Sequence, residues 1–158
     1  MVKSKIIKAG FIVAMVGIVV AGATGFYMFN TPHRNVQAVK ADYILNSSGI
    51  VTEYLSDANA ANGKYLSADG QSKVLEITGT VNKISENFDG QKVVLLKAEG
   101  DKAGVSATFT PETNTSAERL KPGETVTLKG VIRSGAAYDE DLELYENVIL
   151  EKSDVVTK

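Results

Sequence analysis

Two aromatic residues stand in polar loops, each just ahead of an acid: Phe88-Asp89 and Tyr138-Asp139. Rings in such places can stack on a ligand, and the neighbouring carboxylates can accept hydrogen bonds from it. Thr108, in an alternating run, adds a hydroxyl that both donates and accepts. Together with Asp141 these residues form the candidate ligand-binding set. The second loop reads Tyr138-Asp139-Glu140-Asp141, followed by Glu143. Its oxygens suit calcium, yet they lack the Asp-x-Asp-x-Asp-Gly spacing and distal glutamate of a specific calcium loop. The loop reads instead as a solvated turn that keeps an edge strand from pairing. No metal site is assigned.

Catalytic chemistry has little to draw on. The chain has no cysteine, which excludes disulfides, zinc thiolates, a cysteine nucleophile and a lipidated lipobox residue. Its single histidine, His33, follows Pro32 in a polar stretch and leaves little room for a Ser-His-Asp triad. Gly79, Gly90, Gly100 and Gly104 are scattered among strands and turns and form no phosphate-binding loop. No carboxylate stands out as paired. The expectation is a protein with no catalytic residues and no cofactor.

Charge narrows the partners. All 19 acidic residues lie from Asp42 onward, and only 12 of the 17 basic ones do, a net of −7 after Ala41. Such a surface repels phosphate backbones and argues against nucleic acid.

Ala9 to Phe29 is a run of 21 residues without a charge. As a helix it would measure roughly 31 Å, the thickness of a bilayer core. Lys3, Lys5 and Lys8 precede it, so the N-terminus is expected in the cytoplasm and the remainder outside. Ala21-Gly22-Ala23 also fits a signal-peptidase pattern. The apolar run continues past it through Phe29, which favours a retained single-pass anchor in the bacterial inner membrane. The domain beyond is then periplasmic. Small residues four apart, at Gly10 and Ala14 and at Gly17, Ala21 and Gly25, would permit a transmembrane-helix dimer.

The elements that must hold the candidate set follow from periodicity. Residues 1–8 form a basic tail, 9–29 the anchor and 30–45 a linker. Residues 46–66 carry an amphipathic helix, capped by Asn46 or Ser47, with Ile50, Val51, Tyr54, Leu55 and Ala58 on one stripe. Tyr65 and Leu66 are expected to pin this region to the barrel rim. From residue 73 the period becomes two. Leu75, Ile77, Gly79 and Val81 share a face, while Ile84 breaks parity and calls for a bulge near Asn82. Asn87 to Gly90 forms a turn. Strands follow at Val93 to Leu96 and at Val105, Ala107 and Phe109. Thr115 or Ser116 caps a short helix through Leu120. Val126, Leu128, Gly130 and Ile132 point inward on a fourth strand. After a loop from Ser134 to Asp141, Leu142, Leu144, Val148 and Leu150 do so on a fifth.

Five strands with a helix between the third and fourth match the OB-fold, a small Greek-key barrel. This one spans residues 73–156. Glycines at Gly79 and Gly130 suit strands that must bend sharply to close it. In this fold, ligands bind the outer face of strands two and three and the flanking loops, which gathers Phe88, Asp89, Thr108, Tyr138, Asp139 and Asp141.

The segments NTPHRNV, AANGKYL, LEITGTV, GVSATFTP and GETVTLKGVIRSG resemble the tRNA_anti-like family of bacterial OB-fold proteins. The resemblance covers roughly residues 27 to 156. It implies a small anchored or exported OB-fold protein and hands over no catalytic residue. The expected function is an extracytoplasmic binding module for a protein, peptide or glycan. The alternatives are a structural or assembly role through the transmembrane helix, and an oligonucleotide-binding domain.

Overall fold

A computed structural model of the chain describes residues 17–26 and 35–157. It divides into two units, Met1–Asn35 and Val36–Lys158. In the first, residues 17–26 form helix α1, with Ile18, Val19, Val20 and Phe26 exposed. No helix among the described residues is long and apolar enough to cross a membrane. Lys3, Lys5, Lys8, Gly10, Ala14, His33, Arg34 and much of the 9–29 span lie outside the described residues.

The second unit is mainly β. Its elements run β1 (Tyr43–Asn46), α2 (Ser47–Ser56), α3 (Ala58–Tyr65), β2 (Val74–Glu86), β3 (Lys92–Leu96) and β4 (Val105–Phe109). They continue with α4 (Asn114–Glu118), β5 (Thr125–Ser134), β6 (Ala137–Asp139), β7 (Leu144–Glu146) and β8 (Val148–Val155). Strands pair in the order β2-β3-β4-β8-β5, and β5 pairs back onto β2, closing a five-stranded barrel. The parallel β4–β8 pair among otherwise antiparallel barrel neighbours is the strand arrangement of an OB-fold.

β2 closes the barrel because it serves two partners. Val74 to Thr80 pair with β5, and Val81 to Glu86 pair with β3. Gly79 lies at the changeover. A Cβ there would sit 2.5 Å from Ser47 Oγ and 3.1 Å from Leu96 Cβ, so only glycine lets α2 and β3 approach this closely. Gly130 stands where β5 and β8 slip register, and a Cβ there would lie 2.6 Å from Ser153 Oγ. The register of β2 on β3 shifts between Val81 and Lys83, at the expected bulge.

The inward faces follow the alternation. Leu75, Ile77, Val81, Val105, Ala107, Phe109, Val126, Leu128, Ile132, Val148 and Leu150 are buried. α2 lays Ile50, Val51 and Tyr54 against the same core.

Four expectations are corrected. The helix expected over 46–66 breaks at Asp57, whose extended backbone leaves α2 and whose carboxylate caps α3 through Ala60 N at 3.0 Å. Ala58 is therefore exposed, and Ala61 and Tyr65 are buried instead. The stretch read as linker contributes β1, parallel to the start of β2, and Gln37 donates from Nε2 to Lys129 O and Lys152 O at 3.1 and 3.0 Å. The short helix starts earlier, with Thr113 as its N-cap residue and no side-chain cap bond. Leu142 and Leu144 do not point inward, because the fifth barrel strand begins only at Val148; both leucines are exposed on a β6–β7 hairpin.

Candidate functional site

The outer face of β3 and β4 is built by register. Val93 lies opposite Thr108 and Leu95 opposite Ser106, and all four are half-buried. Their neighbours Val94, Leu96, Ala107 and Phe109 fill the core, so the pleat turns this mixed row of apolar and hydroxyl side chains outward. Ile149 of β8 extends the row beside Ser106.

At one end of this face stands the β2–β3 turn. Asn87 Oδ1 accepts from the amides of Asp89 and Gln91 at 3.0 and 2.9 Å, and Gly90 takes a φ of 74°. Asn114, at the start of α4, ties the turn to that end, donating to Gly90 O and accepting from Lys92 N. With Asn87 spent on the turn, Phe88 is thrown into solvent and is fully exposed.

At the opposite end, β6 and β7 form a hairpin. Tyr138 and Tyr145 are cross-strand partners with ring centroids 4.8 Å apart. Asp139 Oδ1 accepts from the amides of Asp141 and Leu142, both at 2.9 Å, so this carboxylate builds the turn. Asp141 is exposed at its tip. Among the described residues no group of three or more acidic or histidine side chains is arranged to hold a metal.

The structure thus splits the candidate set. Phe88 and Asp89 lie at the α4 end, Tyr138, Asp139 and Asp141 at the hairpin end, and Thr108 on the strand between. Five-residue strands set the two ends about 14 Å apart.

Beside the hairpin lies a pocket of about 380 Å³ that the sequence reading missed. Tyr54 and Leu55 of α2 form one side, Ala136 and Tyr138 another, with Tyr145 and Lys102 completing it. Gly135 presses directly on the Tyr54 ring, where a Cβ would come within 1.9 Å of a ring carbon. Tyr54 was legible as a stripe residue and proves to be core; its ring lies 6.0 Å from that of Tyr65. Its hydroxyl is buried without a hydrogen-bond partner, and burial pushes its pKa up to about 12. Lys102 reaches over the Tyr145 ring at 5.4 Å. The alternation Ala137-Tyr138-Asp139 against Leu144-Tyr145-Glu146 was the available signal for the hairpin.

The family model described as tRNA_anti-like matches residues 1–141. The chain belongs to the tRNA_anti-like family. The match ends at the tip of the β6–β7 hairpin, so β7 and β8 lie beyond it. No curated protein matches this member of the family. Its structure is similar to the crystal structure of a "putative nucleic acid-binding lipoprotein" from Klebsiella pneumoniae subsp. pneumoniae MGH 78578, with 17% sequence identity and a TM-score of 0.51. The likeness covers 80% of this chain and 100% of that one. At that identity it speaks for the fold alone.

Proposed function

We propose that this tRNA_anti-like protein is a non-catalytic binding module, anchored in the bacterial inner membrane by residues 9–29, with residues 36–158 on the periplasmic side. The apolar run and the three lysines ahead of it support the anchor and its direction. The partner is a protein, peptide or glycan that lies along the outer face of β3 and β4.

One observation carries this reading: Phe88 is fully exposed on a turn that Asn87 holds closed by accepting from the amides of Asp89 and Gln91. Burying that ring against a partner would yield about 1.5–3 kcal/mol. The half-buried row of Val93, Leu95, Ser106 and Thr108 beside it offers further apolar area and hydroxyl bonding. A photo-crosslinking residue placed at 88 or 108 of the full chain, in cells, tests it. Adducts from both positions, and none from Asp69 on a separate exposed loop, are expected. Equal yields from all three, or none, refute the reading.

An oligonucleotide partner is a second reading, prompted by the likeness to the Klebsiella protein described as a putative nucleic acid-binding lipoprotein. The 12 basic against 19 acidic residues after Ala41 weigh against it. Binding of single-stranded oligonucleotide that falls steeply with salt would favour it over the first.

A further inference from the structure

The β6–β7 hairpin is a two-stranded sheet with one face used by the fold and one left bare. Tyr138 and Tyr145 share a face by register, and Tyr145 packs against the core. The pleat turns Ala137, Asp139, Leu144 and Glu146 to the other side. Ala137 and Leu144 are exposed there, and Leu142 at the tip is 66% exposed. Neither leucine belongs to the core or to the side chains packed against it. A lone exposed leucine is ordinary, but two leucines and an alanine on one bare strand pair, rimmed by polar groups, form a patch of the kind that meets a partner.

The rim decides which partner. Residues 137–146 carry Asp139, Glu140, Asp141, Glu143 and Glu146 and no lysine or arginine. Among the described residues none of these five carboxylates is in an ion pair. Arg133, near the end of β5, pairs with Glu151, and Lys102 lies over the Tyr145 ring, which belongs to the opposite face. A neutral or acidic surface laid on the leucines would strip water from these carboxylates and put nothing in its place. A basic surface replaces that water with counter-charge. The same charge repels anionic lipid headgroups and phosphate backbones. We propose that this face docks a basic amphipathic segment of a partner protein, with aliphatic side chains on Leu142 and Leu144 and lysine or arginine side chains on the carboxylates around them. Phe88 lies at the other end of the β3–β4 face, so this docking surface stands whether or not that face binds a partner.

Titration of the full chain in uncharged detergent micelles, followed by calorimetry and by NMR of its leucine methyl groups, tests this. The probe is a short capped peptide of alternating lysine and leucine. One twin carries glutamate for lysine, the other serine for leucine. Saturable binding of the probe, with shifts at Leu142 and Leu144, is expected, and each twin should bind about tenfold more weakly or worse. Leu142→Ser combined with Leu144→Ser should weaken the probe by about tenfold or more. Its melting temperature should match the parent's, since both side chains lie outside the core; lost binding then cannot be blamed on unfolding. Glu140→Gln, Asp141→Asn and Glu143→Gln together should weaken binding several-fold and flatten its salt dependence. Asp139 is left in place because it builds the turn. The proposal is overturned if the probe does not saturate, if the glutamate twin binds as well, if either variant binds like the parent, or if the shifts fall elsewhere. Broadening of the two leucines by a spin-labelled detergent would assign the face to lipid, and a dimer that the leucine variant abolishes would assign it to a second copy; either result overturns it equally.

Discussion

Gly79→Ala should destabilise the barrel in the parent chain and stop doing so once Ser47 loses its side chain. The new Cβ would lie 2.5 Å from Ser47 Oγ, 2.9 Å from Ser47 Cβ and 3.1 Å from Leu96 Cβ. Ser47 is buried at the first turn of α2, so neither side can withdraw freely. Overpacking of this kind costs about 1–3 kcal/mol. Against it, alanine recovers about 0.5–1 kcal/mol of the entropy that a strand glycine loses. The net is a loss of up to about 2.5 kcal/mol, or several degrees in Tm for a domain of this size. In a Ser47→Gly background two of the three close contacts vanish. Gly79→Ala should then be neutral or stabilising, a coupling of about 1–2 kcal/mol. Urea unfolding of the four proteins, followed by far-UV circular dichroism, measures the cycle. An equal penalty in both backgrounds would show that Gly79 is required for strand bending alone and not for the approach of α2. No penalty in either would remove both reasons.

Other perturbations reach different parts of the unit. Gly135→Ala would drive a methyl group into the buried Tyr54 ring and should cost about 3 kcal/mol, with loss of near-ultraviolet tyrosine ellipticity. Glu53 accepts hydrogen bonds from Lys64 Nζ at 2.8 Å and Tyr65 Oη at 2.7 Å, which hold its pKa below the ordinary 4.5. A depressed carboxylate contributes stability that is complete above its unfolded pKa and lost as pH falls through the folded one. Stability should therefore decline from about pH 4.5 downward, and Glu53→Gln should flatten that part of the pH–stability curve. Lys129 is buried and donates from Nζ to Gln37 O and Val39 O. Lys129→Met should leave both carbonyls short of a donor, cost about 2 kcal/mol, and speed amide exchange in residues 36–41 as the segment loosens.

Much of the barrel could be read from local pattern. A strict period of two at Leu75, Ile77, Val105, Ala107, Val126 and Leu128 decides which face is buried before any contact is known, because a strand offers only two faces. The broken parity at Ile84 located the bulge for the same reason. Leu142 and Leu144 show where the signal misleads. They continue the alternation of Val148 and Leu150, yet Asp139 pulls the chain into a hairpin turn, so their side chains never meet the core. The helical stripe through Ala58 went astray similarly: Asp57 caps a new helix, and a cap is worth as much as one more apolar contact.

The candidate site was only half legible. Asn87-Phe88-Asp89-Gly90 announces an exposed ring, since its turn chemistry is contained in four residues. The pocket could not be announced. Tyr54, Lys102, Tyr138 and Tyr145 span 91 positions and meet only because α2, the β3–β4 turn and the β6–β7 hairpin crowd one end of the barrel.

By itself, then, the sequence determined the alternating faces, the Asn87 turn, a helix cap at Asn46 or Ser47 and the surplus of negative charge, all of which are set within a few residues or by composition. The tertiary structure decided which glycines stand against another backbone, that Phe88 and Tyr138 occupy opposite ends of the β3–β4 face, and that the Tyr54 hydroxyl is left without a partner. Those outcomes depend on how distant segments share space around a closed barrel, and closure is a condition on all five strands at once.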